Sequence, residues 1–88
     1  MEIIYSPKAL HDIEQIKRSG SKIVEKRFER ILLSILETPF EGFASPEALK
    51  YELAGKWSRE LSKKDRVVYQ VNGDDIYILS ILGHYNDK

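Results

Sequence analysis

The spacing of apolar residues predicts a short strand followed by two amphipathic helices. Residues 2–5 are typical of a strand, and Ser6-Pro7 then offers an N-cap followed by a proline at the first helical position, where its missing N–H costs nothing. The first helix should end at Gly20, and Ser21 can cap the second. The second helix carries a stripe at three- and four-residue spacing: Val24, Phe28, Ile31, Leu32, Ile35 and Leu36.

Beyond Pro46 the apolar period becomes two, which predicts β-strands. Three segments alternate in this way: residues 49–53, 57–62 and 66–71. Asn72-Gly73 is typical of a hairpin turn, and a nearly unbroken apolar run from Ile76 predicts a buried last strand that carries His84 at its end. The order β-α-α-β-β-β-β predicts an α+β fold, an antiparallel sheet with two helices packed on one face.

The alternation also assigns side chains to the two faces of the sheet. The helix-covered face should take Leu49, Tyr51, Leu53, Trp57, Leu61, Val67, Tyr69 and Val71. The opposite face, which we name the open face, should take Lys50, Glu52, Ser58, Glu60, Ser62, Arg66, Val68 and Gln70. We place Ser80, Leu82 and His84 on the open face as well.

Composition bounds the class of protein. The 88 residues predict one domain over positions 1–88, and a net charge of zero does not favour a general nucleic-acid binder. Basic residues nevertheless concentrate in two segments, 17–30 and 50–66. The chain has no cysteine and two histidines, so we expect no metal site and no cofactor. Without a signal peptide or an apolar span, we expect a cytoplasmic protein with no membrane partner.

Several open-face residues together suggest a chemistry. Glu47, Lys50, Arg66 and His84, with Tyr85 beside the histidine, are suited to metal-free cleavage of RNA. A base takes the proton of a ribose 2′-OH, an acid protonates the departing 5′-oxygen, and cations stabilise the phosphorane-like transition state. On these residues alone the signal is weak, because surface strands often carry Lys, Arg and Glu without any chemistry.

Five segments of the chain resemble the YoeB/Txe family of bacterial toxins, in the RelE/ParE superfamily: residues 38–42, 46–50, 53–59, 65–69 and 83–85. The resemblance covers essentially the whole chain in order. It implies a RelE-like fold and a ribosome-dependent mRNA endoribonuclease that inhibits translation as the toxin of a type II toxin–antitoxin pair. The implied partners are the ribosome, mRNA and a YefM/Axe-type antitoxin that covers the active site, and a homodimer is a further candidate.

Carried over by position, the resemblance assigns Glu47 as general base, His84 as general acid and Arg66 as the residue that stabilises the phosphate. Lys50 and Tyr85 would contact or position the RNA, and Arg59 is a further candidate for RNA binding. One departure bears on function, because the family usually carries a second arginine where this chain has Glu60.

That departure keeps an alternative function open. A toxin of the same fold could be attenuated or non-catalytic, acting as a binding module. It would then be a ParE-like gyrase inhibitor or an antitoxin-bound autoregulator. Glu60 favours this alternative, and the set of Glu47, Arg66 and His84 favours cleavage.

Overall fold

The structure, a computed structural model, describes residues 2–83. Its two helices follow the first strand and precede the other four strands, as the apolar pattern predicts. The helices are α1 (Pro7–Ser19) and α2 (Lys22–Glu37), and the strands are β1 (Glu2–Tyr5), β2 (Glu47–Ala48), β3 (Trp57–Glu60), β4 (Arg66–Asn72) and β5 (Asp75–Ser80).

Both helices begin, and α1 ends, where the capping residues predict. The Ser6 hydroxyl accepts a hydrogen bond from the Ala9 backbone N–H at 3.0 Å, and Pro7 occupies the first helical position. Gly20 ends α1 with a φ of 72°, a left-handed conformation that favours glycine. Ser21 caps α2 through the Val24 N–H. Only Gly20 and Ser21 separate α1 from α2.

The sheet has the order β1-β5-β4-β3-β2. Strands β2 to β5 form the predicted antiparallel meander, but β1 pairs with β5 in parallel, with Glu2 opposite Asp75. The sheet is therefore mixed, which corrects the prediction of a wholly antiparallel one. The reason is topological, since α1 and α2 lie between β1 and the meander and return the chain across the sheet. The α+β class is confirmed.

The core lies between the helices and one face of the sheet. The predicted face is correct for β3 and β4, whose odd-numbered residues point toward the helices. The buried hydrophobic residues of the core are Ala9, Ile16, Phe28, Ile31, Ile35, Leu61, Val67, Tyr69, Ile76, Ile78 and Ile81. Burial of this apolar surface is the main stabilising contribution to the fold.

The strand predicted over residues 49–53 is wrong. Only Glu47 and Ala48 pair with β3, and a 3₁₀ turn follows at Tyr51–Leu53. Tyr51, predicted to be in the core, is 73% exposed and has a φ of 59°. The turn forms because the Lys50 carbonyl accepts from the Leu53 N–H at 3.0 Å, a local bond that competes with strand pairing.

A buried arginine closes the loop between α2 and β2. Arg59 on β3 is fully buried, and its guanidinium donates to the backbone carbonyls of Thr38, Glu41 and Phe43 at 2.7–3.0 Å. It also donates to the Ser34 and Tyr69 hydroxyl oxygens. These five hydrogen bonds use all five guanidinium N–H groups, which is what makes burial of the charge tolerable.

The Tyr69 hydroxyl extends this network. It donates to the Pro39 carbonyl at 2.6 Å while accepting from Arg59. Burial raises the pKa of Tyr69, and this outweighs the opposing effect of the adjacent guanidinium. Tyr69 therefore remains a neutral donor at pH 7 and holds the loop from the β4 side.

Another buried charge holds the segment after β5. Asp12 on α1 is 4% exposed, and its Oδ2 accepts from the Ile81 and Leu82 N–H groups at 3.0 Å and from Lys8 Nζ at 2.8 Å. These bonds turn the chain out of β5 at Ser80, so the prediction that the strand continues to residue 84 is wrong within the described residues. Burial alone would raise the pKa of Asp12. The contacts with Lys8 and with the two N–H groups together lower it by more, so the net pKa is below its ordinary value.

We expect Arg59→Lys to destabilise the protein by about 3–5 kcal/mol, because lysine keeps the buried charge but offers three donors where five are used. Urea unfolding at pH 7 measures this loss. Arg18→Lys is the matched control, since among residues 2–83 Arg18 makes only an exposed 3.8 Å pair with Glu14. Its replacement should change stability by less than about 0.5 kcal/mol. Equal stabilities of the two variants would contradict the structural role of Arg59.

We expect Asp12→Ala to cost about 3 kcal/mol at pH 7, because two backbone N–H groups lose their acceptor. The pKa of Asp12 is lower in the folded state than in the unfolded state. Its charge therefore stabilises the fold fully at pH values above the unfolded pKa of about 3.9. This stabilisation is lost as the pH falls through the folded-state pKa. The difference from wild type should therefore narrow in acid. Urea unfolding at pH 7 and pH 3 tests this, with exposed Glu14→Ala as control. A pH-independent difference would contradict the assigned charge.

Candidate active site

The structure brings Glu47 and Arg66 together on the open face. Glu47 lies on β2 and Arg66 on β4, with β3 between them. Arg66 Nη1 is 3.8 Å from Glu47 Oε1, and the two side chains are 29% and 56% exposed. The contact is an ion pair too long for a good hydrogen bond, so both charged groups remain available to a ligand.

A second acidic residue lies next to Arg66 in the sheet. Glu60 on β3 is the direct partner of Arg66 in the antiparallel register, so both side chains lie on the same face. The backbone of Glu60 is held firmly, since its N–H donates to the Ala44 carbonyl at 2.8 Å and its carbonyl accepts from Arg27 Nε and Nη2. The predicted open-face position of Glu60 is confirmed, and Arg66 lies among acidic neighbours.

Lys50 is exposed and lies three residues after Glu47, where the chain enters the 3₁₀ turn. Its carbonyl is used by that turn, and among residues 2–83 its ammonium group makes no ion pair. Lys50 thus places a cation on a long, flexible side chain at the edge of the sheet near Glu47, where it is suited to attract an anion.

His84 and Tyr85 lie outside the described residues. The residue before them, Gly83, is anchored beside Arg66, because the Arg66 N–H donates to the Gly83 carbonyl at 3.1 Å. The Gly83 N–H in turn donates to Asp65 Oδ1 at 2.9 Å. The described chain therefore ends against the start of β4, next to one of the predicted site residues.

Arg59 does not join this site. The prediction that it binds RNA is wrong, because its side chain points to the core and all of its N–H donors are already paired within the protein. The signal was present in the sequence, since Arg59 alternates in phase with Trp57 and Leu61, the residues predicted to face the helices.

Sequence reasoning missed three polar residues near the site. Asp12 and Asp65 hold the backbone at residues 81–83, and Ser58 lies directly opposite Glu47 in the sheet. Ser58 is fully buried, and within the described part of the chain its hydroxyl has no hydrogen-bond partner. Asp12 could have been found from its spacing, three residues after Ala9 and four before Ile16, which places it on the buried face of α1.

Two other features, a metal site and a membrane-spanning helix, are absent from residues 2–83. No cluster of three or more His, Cys, Asp or Glu side chains is arranged to hold a metal ion there. In the same range, neither helix combines the length and the apolar character needed to span a membrane.

The chain resembles proteins of known family along nearly its whole length. Toxin YoeB of Escherichia coli O6:H1 (strain CFT073) is 35% identical over 85 residues, which are 97% of this chain and 100% of the relative. Toxin YoeB of Synechocystis is 33% identical over 97% of this chain and 98% of its own.

Solved structures agree with these relatives. The YoeB/ParE toxin from Agrobacterium tumefaciens superposes with a TM-score of 0.92 at 28% identity, covering 97% of this chain and 100% of that one. The YoeB dimer from Staphylococcus aureus gives 0.87 at 34% identity, covering 97% and 98%. The YoeB-YefM complex from Staphylococcus aureus gives 0.85 at 34% identity, covering 94% and 95%.

Residues 5–85 match the sequence profile of the YoeB-like toxins of bacterial type II toxin-antitoxin systems. The matched residues span both helices, strands β2 to β5 and every predicted site residue. The chain therefore belongs to this family of toxins.

Proposed function

We propose that this protein is an endoribonuclease that cleaves mRNA on the ribosome and so inhibits translation. The observation that carries the proposal is the Glu47–Arg66 pair, a potential base and a phosphate-binding cation that are 3.8 Å apart and both partly exposed. A carboxylate and a guanidinium at this distance can address a ribose hydroxyl and its neighbouring phosphate at once.

The proposed reaction needs no metal. Glu47 takes the proton of the 2′-OH, the 2′-oxygen attacks the adjacent phosphorus, and His84 gives a proton to the departing 5′-oxygen. The products are a 2′,3′-cyclic phosphate and a 5′-hydroxyl end. Arg66 stabilises the added negative charge of the transition state, while Lys50 and Tyr85 position the RNA. The anchoring of Gly83 at Arg66 supports a role for the residues that follow it.

We further propose a YefM/Axe-type antitoxin as partner. A relative from Staphylococcus aureus has been solved as a YoeB-YefM complex and another as a YoeB dimer, each 34% identical to this chain. Related toxins thus assemble with an antitoxin or with a second copy of themselves, which supports the same two kinds of partner here.

We expect Glu47→Gln, Arg66→Ala and His84→Gln each to lower the cleavage rate by about 10²–10⁴-fold, the range for losing an acid, a base or a transition-state donor. Primer extension on mRNA from expressing cells, and single-turnover cleavage on purified ribosomes, measure this loss. Arg18→Ala and His11→Gln are matched controls, because both residues are exposed on α1. Folded variants that cut and arrest growth as wild type does would overturn the mechanism.

The ribosome dependence needs its own comparison. The same mRNA should be cut rapidly when it occupies the ribosome and slowly or not at all when free. Equal rates in the two states would refute a ribosome-dependent enzyme while leaving the endoribonuclease assignment intact.

An attenuated or non-catalytic toxin is the second candidate, and Glu60 is the observation that favours it. Glu60 lies opposite Arg66, so a phosphate held by Arg66 would meet a carboxylate across the strand pair. Two like charges about 4 Å apart repel each other by roughly 1 kcal/mol in bulk water and by roughly 4 kcal/mol near a protein surface.

We expect Glu60→Gln to raise kcat/KM on ribosomes by about fivefold or more, and Glu60→Arg to raise it further, because each removes repulsion of the phosphate. Cleavage assays at two salt concentrations measure the gain in kcat/KM and show whether salt screens the repulsion that causes it. Glu52→Gln, which removes an exposed carboxylate from the 3₁₀ turn, is the control. A wild type that does not cut, combined with no gain in either Glu60 variant, would favour the binding module, and DNA damage in expressing cells would point to gyrase.

A further inference from the structure

Ser58 presents an unmet hydrogen-bonding group at the candidate active site. Its side chain is fully buried on β3, and its hydroxyl has no partner within the described part of the chain. A buried hydroxyl without a partner is unfavourable, and native structures retain few of them. The retention of this unpaired hydroxyl therefore needs an explanation, and the position of Ser58 opposite Glu47 suggests one.

The sheet register places Ser58 next to the proposed base. Glu47 on β2 is its direct partner, and Val68 on β4 is its partner on the other side. Directly opposed residues share a face, with Cβ atoms about 5 Å apart. The flexible Glu47 side chain can therefore reach the Ser58 hydroxyl by a change of rotamer, without movement of the backbone.

Other serines packed into the structure are satisfied, so Ser58 stands apart among the described residues. Ser80, also fully buried, donates from its hydroxyl to the Leu82 carbonyl at 3.3 Å. Ser34 accepts from Arg59 Nη1 at 2.8 Å. An unpaired hydroxyl is thus a feature of Ser58 and not of buried serines in this fold.

We propose that Ser58 is a positioning residue whose hydroxyl donates to the Glu47 carboxylate when RNA binds. This inference rests on the proposed function. In the free protein Glu47 lies 3.8 Å from Arg66, and a substrate phosphate competes for that guanidinium. Once Arg66 turns to the phosphate, the Ser58 hydroxyl holds the carboxylate in place to accept the 2′-OH proton.

Replacing Ser58 by alanine separates this role from a structural one. Ser58→Ala should be as stable as wild type or more so, because no hydroxyl is left unpaired. Its kcat on programmed ribosomes should fall by about 10–100-fold, the effect of losing one hydrogen bond to a charged group. KM should stay unchanged, since a buried hydroxyl makes no contact with the ribosome. Ser80→Ala is the matched control, with the opposite pattern of lower stability and a nearly unchanged kcat.

A double-mutant cycle with Glu47→Gln completes the test. If Ser58 acts through Glu47, Ser58→Ala should cost little further in the Glu47→Gln background, because the group it positions is already gone. Full activity of Ser58→Ala, or an equal loss in both backgrounds, would overturn the proposal while leaving the proposed function standing. Full activity of Glu47→Gln, or no cleavage by wild type, would instead refute the function and the inference with it.

Discussion

The buried guanidinium of Arg59 is the interaction on which the site depends. It joins the end of α2, the loop before β2 and strand β4 through five hydrogen bonds, three of them to loop carbonyls. That loop includes Ala44 and Ser45, whose positive φ values of 72° and 53° are unfavourable for residues other than glycine. Arg59 compensates this cost, and the loop delivers Glu47 to the edge of the sheet. The proposed base is thus placed by a charge in the core.

The opposite end of the site is held by carboxylates. Asp12 and Asp65 accept hydrogen bonds from the backbone at residues 81–83, and Lys8 adds a bond from its ammonium group to the Leu82 carbonyl at 2.8 Å. The segment that leads to His84 is therefore held from α1 and from the start of β4.

Local signals predicted the parts of this fold that local physics determines. The caps at Ser6, Gly20 and Ser21 and the alternation in β3 and β4 are short-range properties, and the structure follows them. The alternation at residues 49–53 gave a wrong prediction of a strand. There a hydrogen bond from the Leu53 N–H to the Lys50 carbonyl forms a 3₁₀ turn in place of strand pairing. The approach of Glu47 to Arg66 could be anticipated from faces and from the family resemblance. Periodicity places Arg59 and Asp12 on buried faces, but it does not identify what satisfies them. The partners that give Arg59, Asp12 and Ser58 their roles include residues 10 to 70 positions away.

Strand β3 shows how closely fold and site are joined. Within its four residues, Trp57 and Arg59 point to the core, whereas Ser58 and Glu60 point to the site. A slip of one position would exchange the two sets, exposing the guanidinium and burying an acid. The five bonds of Arg59 make that exchange prohibitively unfavourable, so they also fix Ser58 opposite Glu47 and Glu60 opposite Arg66. The charges on the open face are consequently positioned from the other side of the sheet. A chain with only a small core can thus still hold its proposed reacting groups in register.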